Sequence, residues 1–470
     1  MKAGFRWVLL SVAVLACGKA EPPIETPVEE QHAPPEIIEA SQSATSIKPG
    51  GSVTMRVSAR DPEGSELRFS WKTDQGTLGT PATLATSSEV VWTAPLCTAE
   101  SQPTNIQLTV SNAWNRSIAR VFSVTLSPTC LVVSSTASMS TPRWFHAASV
   151  LPSGKVLVTG GGNVQQSALA SAEVYDPVAA SWTPAAPMSV SRGGHTATVL
   201  PSGQVLVAGG GSDSAVLSSA ELYEPATDSW APTGSMSTPR QGHTASVLPS
   251  GKVLVVGGGD SSGIRLASAE VYDPATGAWK STGSMSAPRT GHTASVLPSG
   301  KVLIAGGVGS GPRLASAEIY DPATGVWTPA GTMSSPRTGH TASVMSSGKV
   351  LIAGGEGSGP RLISAEVYDP ATGAWTLTAS MVRSRADHAA IVLPSGPVMV
   401  VGGVGASDVP NQVPGVELYE PLKGTWHEVT QLNEARRYVV ASQLPSGGVL
   451  ITGGSGSHGI LSSVELLGVP

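Results

Sequence analysis

The chain has 470 residues, enough for two or three domains. It holds 54 Gly and 37 Pro yet is 40% hydrophobic, which excludes a disordered chain and suits many short strands joined by tight turns. Charged residues make up only 13% and the formal net charge is -5, so no basic surface for tracking phosphates is expected and nucleic acid is excluded as a partner.

Lys2 and Arg6 flank the start of an apolar run from Trp7 to Ala16. The run is too short to span a bilayer as a mature helix, so residues 1–16 are predicted to be a signal peptide. It ends Val14-Leu15-Ala16-Cys17, which resembles a bacterial lipobox, although Leu is commoner than Val at the first place. The resemblance implies cleavage before Cys17 and lipidation of that cysteine. It places the chain outside the cytoplasm, lipid-anchored to the bacterial cell envelope, at the outer membrane or cell surface. No other segment has the length and apolarity of a membrane span, so the anchor is the only membrane contact expected. Residues 17–35 are proline-rich and carry Glu21, Glu25, Glu29 and Glu30, an extended spacer with nothing to bury.

Residues 36–130 change character. Val53, Met55 and Val57 alternate with polar neighbours, as do Leu67, Phe69 and Trp71. Val90 to Trp92, Ile106 to Val110 and Phe122 to Leu126 follow, with turn clusters such as Asp61-Pro62-Glu63-Gly64 between. Period-2 strands at this spacing predict a small β-sandwich. The stretch ARDPEGSELRFSW resembles immunoglobulin-like or PKD-like domains of bacterial surface proteins, which implies a spacer or adhesive module. Asp61 and Glu63 are too few ligands to predict a calcium site. Export makes a Cys97–Cys130 disulfide the default, worth roughly 3–4 kcal/mol in the chain-entropy model. Two thiolates with no nearby histidine do not predict a metal site.

From Leu131 the chain repeats with a period near 48 residues. Met139, Met188, Met236, Met285, Met333 and Met381, with Leu432 in the seventh place, are each followed four residues later by arginine: Arg143, Arg192, Arg240, Arg289, Arg337, Arg385 and Arg436. A Gly-Gly pair and then a glutamate follow in every unit. The fourth unit parses into strands near 292–298, 301–307, 316–322 and 326–331, joined by Pro298-Ser299-Gly300 and Asp321-Pro322-Ala323-Thr324-Gly325 turns. A strand-rich unit of this period predicts a β-propeller. The pattern of arginine, histidine, Gly-Gly, Glu-x-Tyr and Trp (Tyr320 and Trp327 in the fourth unit) resembles the kelch repeat over residues 131–470. The last unit ends at Pro470 before a fourth strand, with Leu467 in place of Tyr. Val133 stands six residues before Met139, as Trp327 stands six before Met333. Residues 131–136 are therefore predicted to supply the outer strand of the seventh blade and close the ring. The fold class is thus all-β: a seven-bladed kelch-type propeller preceded by an immunoglobulin-like sandwich.

The repeated charged residues are expected to be architecture. Each unit carries one repeat arginine and one glutamate in its third strand, which suggests buried charge-assisted pairs. His146, His195, His243, His292, His340 and His388 recur once per blade, too far apart for shared coordination, and suggest hydrogen bonds at blade junctions. Copper oxidases with related propellers use a tyrosine cross-linked to cysteine, and no cysteine follows Cys130 here. The spacing of Asp273 and Gly277 does not match sialidase boxes, and no nucleophile elbow, HExxH or phosphate loop stands out. No catalytic residue, cofactor or metal is assigned.

The variable segments are the loops between second and third strands, for example GGNVQQSALAS, GGDSSGIRLAS and GSGSHGILSS. Diversity within one chain marks the face free to bind, although loops also vary when nothing depends on them. Arg265, Arg313 and Arg361 recur there, and Gln165, Gln166, Asp408, Asn411 and His458 join them as ligand-binding candidates. The resulting expectation is a monomeric, non-enzymatic binding module for a glycan or protein at the cell envelope. The alternatives are a carbohydrate-active kelch enzyme of the isomerase or mutarotase type, or a purely structural surface protein.

Overall fold

The computed structural model describes residues 32–47, 51–94, 103–126, 131–406 and 412–468. The signal sequence, Cys17, most of the acidic spacer, Cys97 and Cys130 lie outside the described residues. The described chain contains strands and no helix.

Two sheets form a sandwich at the N-terminal end. One is built on Ser52–Arg60 between Glu36–Gln42 and Ser87–Thr93. The other orders Ser46–Ile47, Ser117–Leu126, Thr104–Ser111 and Arg68–Thr73. Alternate residues of both, including Val53, Met55, Trp92, Ile106, Leu108 and Val124, meet in one core, as the period-2 pattern dictates. The sequence pattern missed Glu36–Gln42, whose side chains are mostly exposed and do not alternate, and the two-residue strands. The Asp61 carboxylate accepts from Ser65 N and Asn112 Nδ2, and Glu63 accepts from His32 and Ala33 N. Both carboxylates are engaged by protein donors.

The remainder is seven four-stranded antiparallel sheets arranged around an axis. Blade 4 is Thr293–Val296, Val302–Ala305, Ser316–Asp321 and Val326–Thr332, in sheet order from the axis outward. The innermost strands of successive blades pack side by side, and the first, Ala147–Val150, packs on the last, Val440–Gln443. Blade 7 takes its outer strand from the other end of the domain: Val132–Thr136 pairs antiparallel with Val464–Gly468, Val133 opposite Leu467. Second strands such as Val302–Ala305 are wholly buried and apolar, save the terminal Thr159 and Thr452 of two blades, which bond histidines, and the cores lie between blades.

Each blade is fixed by a buried ion pair. In blade 4, Arg289 Nη2 donates to Glu318 Oε1 at 2.8 Å, and Nη1 donates to the carbonyls of Gly306 and Ser316. The second oxygen of Glu318 accepts from Ser286 N. The pair recurs in all seven blades at 2.5 to 3.0 Å, with every arginine at 0% exposure. Burial pulls each guanidinium below its ordinary pKa, and the glutamate opposes it. The histidines join blades: His292 Nε2 bonds Thr244 Oγ1 of blade 3 at 3.0 Å. Tyr320 and Trp327 also reach back, to Thr282 Oγ1 and Gly283 O.

Candidate functional site

In each unit two residues separate the repeat arginine from the histidine place, and the second always has a left-handed backbone, φ between 51° and 63°. Glycine fills it in blades 2 to 5 (Gly194, Gly242, Gly291, Gly339), as the conformation favours. In blades 6, 7 and 1 it is Asp387, Tyr438 and Phe145. Three neighbouring blades therefore carry backbone strain of about 1–2 kcal/mol per residue that four blades avoid.

These residues circle the mouth of the axis on the face of the variable loops. Gly194 N donates to Phe145 O, Gly242 N to Gly194 O, Asp387 N to Gly339 O and Tyr438 N to Asp387 O, at 2.8 to 3.2 Å. The Phe145 and Tyr438 rings lie 4.4 Å apart and close the circle. Trp144 packs beside both, and the Arg437 guanidinium sits 5.1 Å above the Tyr438 ring. Phe145 is 44% exposed.

The mouth has two unlike sides. On blades 5 to 7, charge gathers. Glu356 takes Arg313 at 2.6 Å and lies 3.7 Å from Arg361, which donates to Gly405 O. Burial and nearby Glu356 push the Asp387 carboxyl above its usual range, against the pull of Tyr438, Arg437 and Arg361. Burial and Asp387 likewise push the Tyr438 phenol up. Across blades 1 to 3 and the edge of blade 4 is a depression of about 540 Å³, floored by glycine backbone and lined by Phe145, Gln241, Thr290, Asp260 and Arg265.

Of the residues singled out from sequence, Arg265, Arg313 and Arg361 all lie at this mouth, but in different states: Arg313 and Arg361 are paired and Arg265 is not. Gln165 and Gln166 are exposed on the rim, their amides capped by Asn163 Oδ1. His458 is also exposed, bonded to Ser457 Oγ. Asp408 and Asn411 lie outside the described residues. Sequence reasoning missed Phe145, Asp387 and Tyr438. Their signal was present: one glycine place in the repeat filled three times by something else.

The six buried histidines are not part of this site. Burial and the adjacent repeat arginine hold five of them at a pKa of about 3, and His388 is also well below its ordinary value, so they are neutral. Among the described residues no three His, Cys, Asp or Glu side chains gather as a metal site.

Comparison with known proteins agrees with this architecture. Residues 194–403 match the KLHDC2/KLHL20/DRC7 Kelch-repeats domain and residues 143–189 match the Kelch motif. No curated protein matches the chain. Among solved structures, a fungal alcohol oxidase of the AA5 family in complex with copper aligns with a TM-score of 0.60 at 19% identity, over 72% of this chain and 77% of its own. YjhT aligns at 17% identity and a TM-score of 0.49, over 63% of this chain and 99% of its own. The fold is a kelch-type β-propeller. At 19% identity the oxidase likeness extends to fold only.

Proposed function

We propose that this chain is a binding module of the bacterial cell envelope that recognises a glycan or protein at the loop-face mouth of its propeller. Kelch propellers in general serve as binding or protein-interaction modules. The observation that carries the reading is the asymmetry of the mouth: Phe145, Asp387 and Tyr438 hold strained conformations that the ring itself does not require, since glycine serves in four blades. Lipidation at Cys17, the acidic spacer and the sandwich, read as an immunoglobulin-like or PKD-like spacer, would present that mouth away from the lipid surface as a monomer.

The test is binding of the soluble chain from residue 18 onward to arrayed glycans and envelope extracts. A form with the loops between second and third strands shortened to Gly-Ser runs beside it, as does Phe145→Gly/Tyr438→Gly. Specific capture lost in both altered forms supports the reading. Capture that survives both contradicts it.

One observation favours a second reading, a carbohydrate-active enzyme using an acid–base pair. Burial and the nearby Glu356 charge push the Asp387 carboxyl above the usual carboxylate range, the state a general acid needs. Sugar interconversion abolished by Asp387→Asn, with binding retained, would establish it.

A further inference from the structure

We infer that the depression across blades 1 to 3 and the edge of blade 4 takes the carboxylate of an acidic sugar, a uronic acid residue, on Arg265. The inference rests on the loop-face reading above and adds the ligand's chemistry.

Arg265, Arg313 and Arg361 occupy one place in three successive units. The Arg313 side chain reaches the next blade and pairs with Glu356 at 2.6 Å. One repeat earlier, the residue standing where Glu356 stands is Val308: both follow a Gly-Gly pair and both bridge the residue after the repeat arginine, Thr338 for Glu356 and Thr290 for Val308. By the repeat register, the place that holds a carboxylate for Arg313 holds Val308 for Arg265. Among the described residues Arg265 has no ion pair and no side-chain hydrogen bond, whereas Arg313 and Arg361 have both; the buried Nε is unpartnered in all three. Asp260 lines the same depression, but its Oδ1 accepts from the amides of Ser262 and Ile264 within its own turn. The other polar groups lining the depression, Gln241 and Thr290 among them, are neutral.

An unpaired guanidinium over a glycine-backbone floor, with the lining Asp260 carboxylate engaged by the amides of its own turn, favours a planar anion, and a carboxylate fits its fork with two parallel hydrogen bonds. The remaining wall favours a sugar as the carrier. The half-exposed Phe145 ring offers a face for sugar C–H groups, and Gln241 and Thr290 offer hydrogen bonds to hydroxyls. A volume of about 540 Å³ is that of a small-ligand site.

The experiment is calorimetric titration of the full chain with a tetra-galacturonate, its methyl ester and a tetra-aspartate peptide. The acid is expected to bind and the ester to bind about tenfold or more weakly, as loss of a charge-assisted contact implies. Arg265→Gln is expected to abolish the preference. Val308→Glu supplies the missing internal partner and is expected to do the same, while Val308→Gln, of the same size without charge, keeps binding. Equal binding of acid and ester, or unchanged binding by Val308→Glu, overturns the inference. So does Arg265-dependent binding of the peptide in place of the sugar. If the sugar does not bind yet envelope capture still depends on the shortened loops, this inference fails and the loop-face reading stands. If capture is also independent of the loops, both fail.

Discussion

The buried arginine of each blade makes a sharp prediction at the scale of one residue. Arg289 spends its guanidinium on two carbonyls, a serine hydroxyl and Glu318, at 0% exposure. Removing one partner strands the other charge, so Glu318→Ala is expected to cost about 3–5 kcal/mol in denaturant unfolding. The neutral histidines give a pH dependence. Unfolded histidine takes a proton near its ordinary value of 6.5, whereas folded His292 is held to about 3. The unfolded chain therefore binds more protons between these values, and stability falls as pH drops through that window. Each histidine contributes a slope of up to about 1.4 kcal/mol per pH unit. His292→Asn is expected to make urea unfolding between pH 6 and pH 4 shallower by about that amount per unit. At the mouth, Phe145→Gly relieves a left-handed phenylalanine and is expected to raise stability by about 1 kcal/mol while weakening ligand capture.

At the scale of the blade, the local pattern was legible because every unit states it again. Strands, turns and the arginine–glutamate pairing followed from period, alternation and the one repeat arginine and one third-strand glutamate of each unit. The Asp321 turn caps itself through Ala323 N and pairs with Lys301 at 3.0 Å. The site was less legible for the same reason. Attention to what varies pointed to the long loops, whereas the decisive variation is a single place inside the conserved-looking Arg-x-x-His stretch. Pairing across blades was also hidden: nothing in a linear reading separates Arg265, which has no ion pair among the described residues, from Arg313, which pairs with Glu356.

At the scale of the whole molecule, the ring is closed by the strand Val132–Thr136 pairing with Val464–Gly468. Val133→Pro would remove backbone hydrogen-bonding capacity there, and about 3 kcal/mol or more of destabilisation is expected, with loss of a single cooperative transition. Closure also defines the two faces. The sandwich lies against the turn face, where the Thr77 hydroxyl donates to Ser395 O, so the loop face stays open. The most direct test of recognition at that open mouth is amide hydrogen exchange of the soluble chain with and without a captured envelope fraction. Protection confined to the segments around Phe145, Asp387 and Tyr438 and to the adjacent loops is the predicted result. Protection on the turn face or the sandwich, with the mouth unchanged, would contradict it.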